Sequence, residues 1–300
     1  MVNELKIPTN NLLNILIGIG IFTILIFYFS FSNDDKLIQI IVTLILAEPH
    51  FFLTIPLLIL YKELFIKNKI IFVYLPILIL FFLVFIFFNN VSFFYIIFLL
   101  SNLFHVNRQS QGVVKLCLKE KSTQYSNYLW IYYGLFSILF IIPHLIPIIK
   151  NNIEYKIIIS VLAISSFFII KKYIKNEKLN FKEYSIILSG LLVFWPALFF
   201  ENFIYAMGAG ISIHYLQYIM LAGKIISRQF KKFNIFWIMI TITAYAIFST
   251  LALSGNFSAN KNSIFILIPT LVQMFHFYYD SFIWKMNNQK IRETIKSSFI

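Results

Sequence analysis

Residues 70–88 read IIFVYLPILILFFLVFIFF. No charged side chain interrupts these 19 positions. The hydrocarbon core of a bilayer is about 30 Å thick and takes about 20 mostly apolar residues in a helix. This stretch therefore predicts a membrane-crossing helix, and the question is how many others accompany it.

The same criterion applied outward predicts ten spans: 11–31, 37–60, 70–88, 91–107, 127–149, 155–170, 185–200, 202–224, 233–254 and 263–284. The sixth and seventh are short, and the eighth follows the seventh through a tight turn near Glu201-Asn202. The whole chain, 60% hydrophobic and 12% charged, has the composition of an integral membrane protein rather than of a soluble domain, where about a quarter of residues are charged. The first span is read as a helix and not a removable signal peptide, because no small-residue cleavage site follows it. With no internal repeat and no low-complexity tail, residues 1–300 are expected to form one domain. The fold class expected is an all-α polytopic membrane protein.

Positive charge supports the count. With ten spans, 21 of the 25 Lys and Arg residues fall on the side shared by the termini and the loops after even-numbered spans, and 4 on the other. Cytoplasmic loops hold the excess of basic residues, so both termini are expected in the cytoplasm, in a bacterial-type cytoplasmic membrane. The net charge of +13 is then an orientation signal, and its spread over all the inner loops argues against nucleic acid as a partner. A single cysteine, Cys117, excludes an internal disulfide framework and a cysteine-rich metal site. The 36 phenylalanines go with a general Phe/Ile/Lys/Asn/Tyr skew, so aromatic clusters carry little functional weight.

Against this background, MFHFYYDSFIWK at 274–285 places His276 and Asp280 four residues apart in the last span. Three further histidines lie inside spans: His50 in the second, His105 in the fourth and His214 in the eighth. All four spans run from the outer to the inner face. Each histidine stands 12 to 14 residues from the start of its span, or roughly 20 Å deep at about 1.5 Å per residue. Independent polar residues have no reason to share a level, whereas ligands of one ion must. Ionisable groups in a membrane are costly and mark function by default. The fifth histidine, His144 in IIPHLIP, lies between two prolines near the outer end of its span and reads as structural.

A metal-bound imidazole normally gives its other ring N–H to an acceptor. Residues four apart share a helix face, and at +4 from the four histidines stand Thr54, Gln109, Tyr218 and Asp280. Gln217 stands at +3 from His214, and Arg108 beside Gln109 is an alternative partner for Asp280 through an ion pair. Neutral imidazoles suit Fe, Zn or Cu more than Mg or Ca. Too few carboxylates lie near this depth for a bridged two-metal site. Iron with dioxygen suits a lipid-buried centre, with Fe(II) the first choice and Zn or haem as alternatives. A metal-free His/Asp/Arg network, as in a transporter or proton pathway, stays open beside these. Ala206 and Gly210, eight and four residues before His214, would admit a neighbouring helix or line a substrate cavity.

The arrangement resembles the bacterial Brp/Blh-type β-carotene dioxygenases, polytopic membrane proteins with four histidine motifs in the same order. Pro49-His50, the His276/Asp280 pair and the basic tail KMNNQKIRETIK carry the resemblance, with gaps of 55, 109 and 62 residues between the histidines. It implies a metal-dependent dioxygenase, the metal held by His50, His105, His214 and His276. The implied partners are dioxygen and a lipophilic small molecule drawn from the bilayer.

Overall fold

A computed structural model describes residues 42–117, 123–173, 181–199, 203–253, 264–285 and 288–299, and all regular structure among them is helical. The expected span 11–31 lies outside them, as does the start of 37–60. Four stretches are long and apolar enough to cross a membrane: Val42–Leu60, Ile70–Asn89, Val91–Val114 and Asn234–Ala252. The stretch at 70–89 is the most apolar, and Leu78, Phe81, Phe85 and Phe88 on it are each more than half exposed. A large exposed apolar surface of this kind is what lipid contact requires.

The described residues fall into two compact units, one of Val42 and those within 103–217, the other of those within 43–102 and 218–299, and the chain passes between them at 42/43, 102/103 and 217/218.

The second unit begins with a π-helical stretch, Val42–Ala47, followed by α1 (Glu48–Phe52) and α2 (Thr54–Leu60). Together they form one helical stretch over Val42–Leu60, with Leu53, itself in helical geometry, between α1 and α2. Pro49 lies in the first turn of α1, directly after the π-helical stretch. A short α3 (Lys62–Lys67) leads to a second π-helical stretch, Ile70–Tyr74, and α4 (Leu75–Asn89). Asn90 ends α4 and starts α5 (Val91–Cys117), its side-chain oxygen accepting the Phe93 N–H at 3.0 Å. The chain re-enters this unit within a helix at Phe203–Gln229, called α10 below. It adds α11 (Lys232–Leu253), α12 (Ile264–Ile283) and α13 (Gln289–Phe299). α12 packs on α1, α2, α4 and α11. Leu83, Ile86 and Phe87 of α4, Phe94 of α5 and Leu267 of α12 form a buried core. Two consecutive phenols of α12 reach consecutive carbonyls, Tyr278 to Ile71 at 2.6 Å and Tyr279 to Phe72 at 3.1 Å. The basic tail forms the amphipathic α13, with Ile291 and Ile295 buried and Lys290 paired with Glu63.

The first unit holds the second part of α5, then α6 (Thr123–Leu145), α7 (Pro147–Lys150), α8 (Ile153–Tyr173) and α9 (Phe181–Leu191). A 3-10 turn, Trp195–Phe199, and the first part of α10 complete it. Two expected spans, 127–149 and 185–200, end early. The residue before a proline avoids helical geometry, and Ile146 is extended ahead of Pro147; the helix Phe181–Leu191 ends before the 3-10 turn Trp195–Phe199. α6 packs on α7, α8, α9 and the 3-10 turn. Tyr133 of α6 donates to the Ile187 carbonyl at 3.1 Å, and its ring lies so close to Gly190 that a Cβ there would approach it to 2.7 Å.

Candidate metal centre

Each unit buries a pair of the span histidines. In the second unit, α1 and α12 pack together and bring His50 against His276, ring centroids 4.4 Å apart at 62°. Both are at most 1% exposed. Tyr218 of α10 closes the group, edge-on to both rings at 4.3 Å and 5.1 Å.

A chain of hydrogen bonds ends on His276. Tyr218 donates to Asp280 Oδ1 at 2.8 Å. Thr54 Oγ1 lies 2.9 Å from the Tyr218 hydroxyl and 2.5 Å from His276 Nδ1. Counting protons assigns the directions. The single hydroxyl proton of Tyr218 goes to Asp280, so the Thr54–Tyr218 bond carries the Thr54 proton. The Thr54–His276 bond then carries a proton from Nδ1. That tautomer places the Nε2 lone pair of His276 on the side of Asp280. Asp280 Oδ2 faces Nε2 at 3.7 Å, too far for a hydrogen bond but within the reach of two metal–ligand bonds of about 2.1 Å each. The donor set of this cluster, buried imidazoles beside a carboxylate, suits a transition metal.

Two partner assignments differ from the +4 reading. Thr54 was expected to serve His50, and Tyr218 to serve His214; their hydroxyls bond to each other, with Thr54 also reaching His276 and Tyr218 reaching Asp280. The first change follows from packing: α2 lies against α12, and the Thr54 hydroxyl meets His276 there. Asp280 remains beside His276, as its spacing predicts, and is nearly fully buried.

In the first unit, His105 of α5 and His214 of α10 meet edge to face, centroids 5.3 Å apart at 87°. Both are buried. Two residues after His105, Asn107 accepts from Ser137 of α6 at 2.9 Å, fixing α5 against α6. One turn before His214, Gly210 faces the backbone of Val193 and Phe194, where a Cβ would meet atoms at 3.1 Å. Gly210 therefore serves close packing of α10 on the segment before the 3-10 turn. The side chain of Ala206 is outside the described set. Gln109 is half-buried, and Gln217 donates to Ser189 at 3.4 Å. Arg108 donates to Gln111 at 2.9 Å and lies 6.0 Å from the Trp130 ring centre. His144 hydrogen-bonds the Ala197 carbonyl through Nε2 at 2.8 Å, the structural role its prolines suggest.

One polar contact near the site escapes sequence reasoning. Glu48, two residues before His50, accepts from Gln273, three residues before His276, at 3.0 Å, with Ser249 and Tyr245 beside its carboxyl group. It ties together the two helices that carry the second unit's histidines. The signal was available: a carboxyl group inside an apolar span needs a partner, and Gln273 is a polar residue of the facing span.

Buried histidines with Asp280 thus form clusters that could hold a metal ion. Comparison of the chain with family models, with curated proteins and with solved structures finds no match.

Proposed function

We propose that this is a membrane-embedded, metal-dependent oxygenase of the multi-pass kind, distantly related to the Brp/Blh-type dioxygenases. In this reading ten spans place both termini in the cytoplasm of a bacterial-type membrane. His50, His105, His214 and His276 hold one Fe(II), with Zn or haem as the alternative cofactors. The observation that carries it is the buried His276–Thr54–Tyr218–Asp280 chain beside His50. A histidine whose tautomer is set by a hydroxyl, with a carboxylate facing its other nitrogen, is built as a ligand. The shared depth of the four histidines in the sequence supports a common ion.

Iron in such a centre supplies the redox chemistry by which dioxygen attacks a lipophilic substrate. Thr54 holds the His276 ring in the ligating tautomer, and Tyr218 keeps Asp280 oriented. Asp280 offsets part of the charge of a divalent ion that neutral imidazoles leave uncompensated. The apolar packing around them keeps bulk water out.

The competing reading is a metal-free polar pathway, which the same hydrogen-bond chain would serve. Metal analysis and an absorption spectrum of the purified protein separate them. About one iron per chain without a Soret band is the expected result. A Soret band moves the assignment to haem, and a protein that holds neither iron nor haem after expression in iron-replete medium refutes the oxygenase.

A further inference from the structure

A cleft of about 360 Å³ opens in the second unit directly beside His276. Its walls include Ile55 and Leu58 of α2, Val73 of the π-helical stretch, Ile77 and Leu80 of α4, and Val272 of α12. Ile55, Val73 and Ile77 are each more than 40% exposed and lie on stretches apolar enough to cross a membrane. The cleft thus opens sideways, toward what would be lipid, and ends inward at His276 and Thr54.

The polar side chains that border it are already engaged. Tyr279 donates to the Phe72 carbonyl, and Thr54 and His276 bond to each other. No Lys, Arg, Asp or Glu lines it. An occupant is therefore recognised by apolar contact and shape, not by a headgroup. The volume sits at the small end of the range for ligand sites, about 300–1,000 Å³. At about 30 Å³ per water-sized group, it holds about a dozen methylene-sized units.

We infer that this cleft is the substrate channel of the proposed enzyme, and that it admits one hydrocarbon chain from the bilayer, about a dozen carbons deep, laid end-on against His276. This rests on the metal-centre reading for its catalytic meaning but not for its binding. A full-length C40 carotenoid would fill it with only one end. The cleft commits the site to single-chain lipids or to the terminal part of a longer one. Polar head groups stay outside, at the level of the lipid.

The test uses the full-length protein in lipid nanodiscs and a twelve-carbon alcohol carrying a terminal photoreactive diazirine. Labelled peptides are mapped by mass spectrometry, and iron is measured on the same sample. Labelling concentrated on the peptides around 73–80 and 272–279 and competed away by excess dodecanol supports the inference. Ile77→Trp, which fills the mouth from an exposed position, is expected to cut that labelling at least tenfold. Phe85→Trp, on a lipid-facing position outside the cleft, is expected to leave it unchanged. Labelling spread over all apolar helices, insensitive to dodecanol and to Ile77→Trp, overturns the inference even if iron is bound. Saturable cleft labelling in a protein without iron upholds the chain site and refutes the oxygenase instead.

Discussion

The two histidine pairs are held by different physics. In the second unit, His276 sits in a chain of polar bonds through Thr54, Tyr218 and Asp280, His50 packs its ring against His276 and Tyr218, and the Glu48–Gln273 link ties their helices together. In the first unit, the helices carrying His105 and His214 are placed by close approach, with Gly210 against the Phe194 backbone, and by the Ser137–Asn107 bond. A polar web fixes which way a ring faces and which nitrogen carries the proton. Close packing fixes only where its helix lies. The Thr54–His276 bond is therefore expected to show in the electronic character of a metal bound at His276, and the packing of Gly210 in the stability of the first unit.

Removing a ring is the hardest blow to that contrast. His276→Ala and His214→Ala are each expected to weaken metal binding by about 100-fold or more, since a ligand outweighs the outer partners whose loss costs about 10–100-fold. Metal content after dialysis against a chelator measures it; retention of full metal by either variant removes that histidine from the centre. Next comes Asp280→Asn, expected to lower affinity by about 10–100-fold and to shift the metal's absorption or magnetic-resonance spectrum. A change in affinity without a spectral shift would reduce Asp280 to a packing role.

The polar web itself is tested by Thr54→Val, which keeps the shape and removes the hydroxyl. About tenfold weaker binding is expected, with recovery in Thr54→Ser; full binding in Thr54→Val with loss in Thr54→Ser would show that shape, not the proton, matters. Its counterpart in the first unit is Gly210→Ala. Overpacking of this kind costs about 1–3 kcal/mol, so a lower melting temperature is expected, with the spectrum of any retained metal unchanged.

The smallest effect belongs to the surface. Lys290 beside Glu63 holds its carboxyl below the ordinary value of 4.5. A depressed folded pKa stabilises the fold above the unfolded pKa and stops doing so as pH falls through the folded one. Glu63→Gln is therefore expected to lower the melting temperature slightly at neutral pH and not at all well below pH 4.5, and high salt should erase the difference.

Much of this was legible because membrane sequence is read on two simple scales. Uninterrupted apolar length marked 70–88, and the observed Ile70–Asn89 matches it closely. Polar residues in such stretches are rare enough that His50, His105, His214, His276 and Asp280 stood out, and all are buried. What the spacing could not give was the partner across a helix pair: α2 packs on α12, and the Thr54 hydroxyl goes to His276. Span length failed at Ile146, extended ahead of Pro147, and after Leu191, where an apolar run continues but the α-helix does not. The Glu48–Gln273 bond joins residues 225 positions apart, and nothing local to either residue names its partner.

The two phenols of α12 have a mechanical consequence. Tyr278 and Tyr279 are neighbours in sequence, and so are the carbonyls of Ile71 and Phe72 that they grip. A rod that slid along its axis by one residue would break both grips at once, whereas one that swung about them would keep both. The end of α12 that bears Asp280 is thus pinned as an axle is pinned. His276 lies two residues before this double grip, so the wall of the cleft at its inner end is held in register with the π-helical stretch.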